Sequence, residues 1–329
     1  MNYLLALSFI ILKLLFIKCE PQQLSVFSSA PNTNIQYTRI NLEDGSFNIS
    51  ITSQNAFEIL GITSYDGVNW YDMIAWTAPT FSPASFSDLE QGTIIFSSFF
   101  GGGQDAVAYN LQPLAFDNVT GEGYYAGWLK KNNQLVMMGW ACYIDNSAFF
   151  FNHTSYIVDM TYSNSIVGAL DQNSNTFFIN YVSSEGKRNI LTYNTFGTQG
   201  DVIEYPFTVD SASALTSQVY MFYSSVGEGG LFMVDCGNNM ISLLSVQLDQ
   251  STTTASSKVI VSESNAAGKP TDGLPFVYVN QLDRYVYLLS KPTNATSYTI
   301  TRVDLTNFQT FSVTTNDITT EYNFALYYY

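Results

Sequence analysis

With 329 residues, 46% of them hydrophobic and 16% aromatic, the chain can bury a large core and lacks the weak hydrophobicity and high charge of a disordered polymer. Lys plus Arg number 12 against 27 Asp plus Glu, a formal charge of −15, and only Lys130-Lys131 and Lys187-Arg188 pair up. Nucleic acids and anionic membranes need clustered positive charge, so neither is an expected partner. Tyr (23 residues), Phe (24 residues), Thr and Val suit a pleated sheet, whereas Lys, Glu and Ala, which cover helix surfaces, are scarce. The expected class is all-β.

Residues 1–19, MNYLLALSFIILKLLFIKC, read as a signal peptide, with a retained anchor as the alternative. The apolar run 3–12 has the length of a signal core, and Lys13 interrupts it before it could cross a bilayer. Removing Lys13 and Lys18 with the leader leaves 10 basic against 27 acidic side chains. No later segment reaches the ~18 uncharged apolar residues of a membrane helix, so no span is expected after cleavage. Residues 20–329 then form one domain that is secreted, extracellular or held in the secretory-pathway lumen. Asn48, Asn118, Asn152 and Asn294 each open an Asn-x-Ser/Thr triplet and are the expected N-glycosylation sites.

The first expected strands are 24–28 and 35–42, then a hairpin turn at Asp44-Gly45 and a strand over 46–52. Strands 57–62 and 70–76 flank a second Asp-Gly turn at Asp66-Gly67. Two prolines and three serines mark 77–91 as a loop. Strands follow at 93–99 and 106–111, at 124–129 and 135–143, and at 148–151 and 156–160 around a turn at the Asn152 sequon. The second half is more regular. Strands are expected at 166–170, 177–182, 189–193 and 202–207, then at 219–223, 231–234, 241–248 and 258–262, with a Ser/Thr loop over 251–257. A last set lies at 276–279, 285–289, 298–305 and 308–313, followed by a strand near 321–329.

Two hairpins at opposite ends resemble each other. Thr301-Arg302-Val303-Asp304-Leu305 lies over Thr38-Arg39-Ile40-Asn41-Leu42, with Asp304 263 positions after Asn41. Leu248 and Leu305 read as like positions in third strands, as do Leu42 and Thr195, with steps near fifty residues. Four-stranded units at this spacing match a β-propeller, and steps of about fifty give six blades, with seven as the other option. The first unit, 24–52, holds three strands and one strand is left at the C-terminus. A ring closed by that last strand leaves no open edge. An open sandwich or solenoid would leave the aromatic tail exposed.

At 231–249 the sequence LFMVDCGNNMISLLSVQLD resembles an NHL-type propeller repeat, in which an apolar strand ending in Asp meets a Gly-Asn-Asn turn and an alternating strand. The resemblance covers about one blade and implies propeller architecture; no chemistry travels with a fold. In a six-membered ring Cys142 and Cys236 fall in units that are not neighbours. A disulfide needs Cα atoms within about 7 Å, so no disulfide is expected and both are read as buried free thiols.

The only histidine is His153, which leaves histidine-dependent triads and zinc sites without their partners. No Gly-x-Ser-x-Gly elbow is present. The glycine runs 101–103 and 227–230 lead into strands without the lysine of a phosphate loop, and read as hairpin turns. Asp171-Gln172-Asn173-Ser174-Asn175 imitates the start of a calcium loop but continues with Thr176, not Gly, and reads as a turn. No metal, cofactor or catalytic residue is therefore assigned. Glycoside hydrolysis needs only two acids, and Asp66, Asp72, Asp105, Asp171, Asp235, Asp272 and Asp283 fall near strand ends. Trp70, Trp76, Trp128 and Trp140 read as inter-blade packing, with a sugar- or protein-binding face as the alternative. The resulting expectation is a secreted or cell-surface glycoprotein that binds an extracellular protein or carbohydrate. The alternative is an extracellular carboxylate-based hydrolase acting like a glycosidase or lactonase.

Overall fold

The computed structural model describes backbone strands between residues 23 and 328. It describes side chains over 41–46, 167–192, 202–207, 219–264 and 285–315, apart from 172, 184, 228, 238 and 292–294. Every described regular element is a strand. No helix among the described residues is long and apolar enough to cross a membrane.

The strands assemble mostly in consecutive groups of four. β1 (Gln23–Ser29), β2 (Ile35–Asn41) and β3 (Phe47–Ser53) form a meander, and β24 (Asn323–Tyr328) completes it in the order β24-β1-β2-β3. The C-terminal strand pairs antiparallel with β1, with Val26 opposite Leu326. The next sheet runs β4 (Glu58–Ser64), β5 (Trp70–Ala75), β6 (Phe81–Asp88), β7 (Thr93–Phe96). A third holds β8 (Ala115–Asp117), β9 (Glu122–Leu129), β10 (Gln134–Cys142) and β11 (Ala148–Ile157).

The fourth and largest sheet has eight strands, made of two such groups. One is β12 (Met160–Asp171), β13 (Thr176–Ser183), β14 (Arg188–Asn194) and β15 (Ile203–Thr208). The other is β16 (Gln218–Ser224), β17 (Gly230–Gly237), β18 (Met240–Asp249) and β19 (Thr254–Ser264). They join through a short parallel contact in which Phe207 and Thr208 on β15 face Ala255 and Ser256 on β19. The last sheet is β20 (Val277–Val279), β21 (Tyr285–Ser290), β22 (Thr299–Asp304), β23 (Thr310–Thr314).

The leading strands of successive groups touch. β12 packs against β8 and β16, and β24 packs against β4 and β20. The sheets between them stack face to face. Alternate side chains of β17 enter two different cores: Leu231 and Met233 meet Ile190, Phe178 and Tyr205 on one side. Phe232, Val234 and Cys236 meet Val286, Leu288 and Val303 on the other. A strand covered on both faces reads as a continuous apolar run, which is why LFMV in β17 and FFI in β13 are unbroken. Each fully buried Leu, Val or Phe contributes about 1.5–3 kcal/mol.

Several expectations change. The expected loop over 77–91 contains β6. Pro83 faces Met73 on β5, one residue beyond where β7 begins to pair at Ala84, so its missing N–H takes no donor from the β7 ladder. The expected turn at Asn152 is strand. β11 runs straight through it, with Asn152 opposite Met138 and Thr154 opposite Met137, which leaves His153 as the extra residue of a bulge. Flanking Phe and Thr residues carry the strand across, and the sequon has no Gly or Pro to stop it. The Ser/Thr segment 251–257 is turn only to Thr253, because Ala255 and Ser257 are buried on β19. The expected strand 106–111 lies outside the described residues.

Candidate functional site

One turn recurs in the described residues and organises one end of the molecule. Asn41, Asp171, Asp249 and Asp304 each end a strand, and each side-chain Oδ1 accepts the N–H two residues on. The partners are Glu43 (2.8 Å), Asn173 (3.0 Å), Ser251 (2.8 Å) and Thr306 (2.9 Å). Short Asx side chains favour such turns because they satisfy the backbone locally. In every case the fourth residue on is left-handed: Gly45 at φ 70°, Asn175 at 54°, Thr253 at 53° and Phe308 at 57°. This geometry aligns Asp304 with Asp249, so Leu248 matches Val303; the expected match of Leu248 with Leu305 is two residues out of register. Thr195 lies outside the described residues.

Antiparallel alternation puts these turns at one end. The Asn41, Asp249 and Asp304 turns join third to fourth strands, and the Asp171 turn joins first to second. They also contact neighbouring groups. Gly227, in the β16–β17 turn, packs beside Leu305 and Thr306. Gly45 packs so closely on Thr314 and Thr315 that an added Cβ would overlap the Thr314 carbonyl oxygen.

On the last sheet this turn carries an aromatic surface. The Arg302 guanidinium on β22 lies 4.9 Å from the Tyr285 ring centroid and 5.3 Å from that of Phe311 on β23. Such cation–π contacts hold the rings in place. Phe311 is 50% exposed, and Phe308 at the turn is 47% exposed. Sequence reasoning missed this surface. The signal was available, because the repeat that lays Asp304 over Asn41 also lays Phe308 over Gly45.

Of the expected acids, only Asp171 and Asp235 have described side chains, and they lie at opposite strand ends. Asp171, at the turn end of β12, accepts hydrogen bonds within its own turn at both oxygens, with Ser174 Oγ donating to Oδ2 at 2.6 Å, and also faces the Tyr223 phenol. Burial and this carboxylate push the Tyr223 phenol up. Asp235 is buried near the other end of β17, and its Oδ1 has no hydrogen-bond partner. Its charge favours the buried Arg188 guanidinium, against the burial that lowers it. Asp72 lies on β5, and Asp66, Asp105, Asp272 and Asp283 fall outside the described residues. Among the described residues no three His, Cys, Asp or Glu side chains gather closely enough to share a metal ion.

Asn48 lies on β3 and Asn152 on β11, each the last strand of its sheet; Asn118 and Asn294 lie outside the described residues. Trp70, Trp128 and Trp140 lie on β5, β9 and β10, and Trp76 is outside the described residues. Cys236 is a buried free thiol whose ionisation burial pushes up; Cys142 ends β10 in a different sheet. Gly227 and Gly229 lie in the β16–β17 hairpin turn, as expected, and Gly230 opens β17; 101–103 lie outside the described residues.

No family model matches the chain, and no curated protein does. Solved structures of β-propeller proteins are similar to it. TolB of Acinetobacter baumannii aligns with a TM-score of 0.56 at 11% identity over 93% of this chain and 66% of TolB. The chain thus spans about two thirds of TolB's length. The Pseudomonas aeruginosa periplasmic gluconolactonase PpgL aligns at 0.52 and 11% identity, over 92% of this chain and 98% of that one. The six-bladed fucose-recognising lectin of Aleuria aurantia aligns at 0.50 and 9% identity, over 89% and 96%. At such identities the likeness is one of fold: all-β, of propeller type.

Proposed function

We propose that this chain is an exported, N-glycosylated binding module built as a six-bladed β-propeller, with a protein or carbohydrate ligand. Residues 1–19 are its signal peptide and 20–329 its single domain, glycosylated at Asn48, Asn118, Asn152 and Asn294. Dividing the eight-stranded sheet at its two-residue parallel contact, and adding the four four-stranded sheets, supports the six-blade reading. The ring closes where β24 joins β1. A second contact supports closure: the Gly45 turn sits on Thr314–Thr315 as the start of β19 sits on the end of β15. Cys142 and Cys236 then lie in the third and fifth blades, as separate thiols.

The observation that carries the binding reading is the half-exposed Phe311 ring against Arg302, with half-exposed Phe308 at the turn of the same hairpin. Exposed aromatic rings clustered with arginine are the usual anchors of interfaces. The separation of Asp171 from Asp235 lends further support over the carboxylate-hydrolase alternative. Both a lectin and a gluconolactonase share the fold, so the assay must offer both outcomes.

Expression in a eukaryotic secretory host tests the reading. The expected product is secreted, begins near residue 20 and gains mobility on enzymatic deglycosylation. It captures ligands from peptide or glycan arrays but does not hydrolyse a panel of lactones and glycosides. Retention in cytosol, or turnover that survives Phe311→Ser, would contradict it.

A further inference from the structure

We propose that N-glycans at Asn48 and Asn152 guard the open outer edges of two blades against edge-to-edge pairing with a second copy of this chain. This rests on the exported-glycoprotein reading and assigns two of its glycans a task.

With the eight-stranded sheet divided as above, β3, β7, β11, β15, β19 and β23 are the outermost strands of their blades. Such a strand presents unpaired N–H and C=O groups that template another strand, and proteins blunt these edges by shortness, charge, proline or a bulge. β7 and β23 are short, at four and five residues. β15 carries Glu204 and Pro206, β19 carries Lys258 and Glu263, and the two touch through their parallel contact. β3 (FNISITS) and β11 (AFFFNHTSYI) differ. They are seven and ten residues long and contain no Lys, Arg, Asp, Glu or Pro. Uncharged, strand-favouring runs of that length pair readily with copies of themselves. Among the described strands these two alone contain a sequon Asn.

The placement suits a bulky substituent. β13, β17 and β21 are buried on both faces, whereas β19 and β23 expose neighbouring residues of both faces, Lys258 with Val259 and Phe311 with Ser312. An outermost strand can therefore carry a glycan whichever way its Asn faces; a middle strand cannot. Each sequon also spans a bulge. Ser50 is the extra residue against Tyr37 and Thr38, as His153 is against Met137 and Met138. β19, the other long outermost strand, is bulged at Ile260. The three longest outer edges thus share a bulge; where β19 adds charge, β3 and β11 add a large hydrated glycan that blocks an incoming strand.

The test expresses the full-length chain in a eukaryotic secretory host as wild type, as Asn48→Gln/Asn152→Gln, and as Asn48→Lys/Asn152→Lys, which puts an edge charge in place of each glycan. Asn118→Gln/Asn294→Gln, which removes the two sequons lying between strands, is the control. Sedimentation over a concentration series reads self-association, and peptide mass mapping reads glycan occupancy. The expected result is occupied Asn48 and Asn152 in the wild type. Only the Asn48→Gln/Asn152→Gln protein should self-associate, at least about tenfold more strongly than the wild type, while melting no lower than the control. Its retention in the host as aggregate, beside a secreted Lys variant, supports the proposal equally. A monomeric Gln variant, equal association in the control, association that accompanies a lowered melting temperature, or a Lys variant that associates as strongly overturns it. Retention of both variants in the host overturns it too. Bare Asn48 and Asn152 beside glycans at Asn118 or Asn294 overturn it and leave the glycoprotein reading standing. A wild type without any glycan takes down both.

Discussion

Gly45→Ala perturbs the point where the first and last blades meet. Glycine at φ 70° is replaced by a residue whose left-handed conformation costs about 1–2 kcal/mol. The new Cβ would overlap the Thr314 carbonyl oxygen, and would lie 2.9 Å from the Thr314 carbonyl carbon and 3.1 Å from the Thr315 Cα. All three are backbone atoms, so no side chain can swing aside; the forced shift adds about 1–3 kcal/mol. The expected total is about 2–5 kcal/mol. Gly229→Ala is the control. Its φ of 68° is nearly the same, but its nearest obstacle, the Ser224 carbonyl oxygen, is 3.5 Å away. It should lose only the conformational share, about 1–2 kcal/mol. Urea unfolding measures both, read from midpoints at an unchanged m-value. Equal losses in the two variants would refute the reasoning, because the Gly45 turn would then have nothing packed on it.

Four further outcomes follow from the described packing. Gly168→Ala should cost about 1–3 kcal/mol in the same assay, because its Cβ would lie 2.5 Å from Cζ of the fully buried Phe177 ring. Arg188→Met should cost about 3–5 kcal/mol by stranding the buried Asp235 charge, and adding Asp235→Asn should recover part of the loss in a double-mutant cycle. Asp249 is held at about 2, below its unfolded value, so its contribution is present above about pH 4 and fades as pH falls towards 2. Asp249→Asn should therefore be less stable than wild type at pH 7 and match it at about pH 2. In a Cys142→Ser background, Cys236 should resist thiol reagents until the protein unfolds, since burial keeps it protonated.

The last two blades were the most legible part of the chain. There, short alternating strands are separated by polar turns, and TRVDL over TRINL revealed the repeat directly. The joining of β24 to β1 followed from counting a three-strand unit at one end and a spare strand at the other. Legibility failed where local signals and tertiary pairing disagree. Pro83 argued for a loop, yet it sits where β6 has a neighbour on one side only. Asn152 argued for a turn, yet a bulge absorbs the extra residue and lets β11 continue. Leu248 was matched to Leu305 by residue type, whereas Asx hydrogen bonds set the register two residues away. The aromatic surface stayed hidden for a related reason. Phe308 looked like one more strand residue, and only its left-handed φ, shared with Gly45, Asn175 and Thr253, and its exposure mark it as a turn position.

Closure of the ring by the tail can be probed by a single covalent link. Cysteines placed at Val26 and Leu326, which face each other across β1 and β24, should form an intramolecular disulfide detectable by peptide mass mapping. Antiparallel partners lie about 4.5–5.5 Å apart at Cα, within disulfide reach. The account predicts that link in monomeric protein, as readily as a control link between Val26 and Thr38 on β2. A chain that forms the 26–38 link but never the 26–326 link would contradict the closed ring.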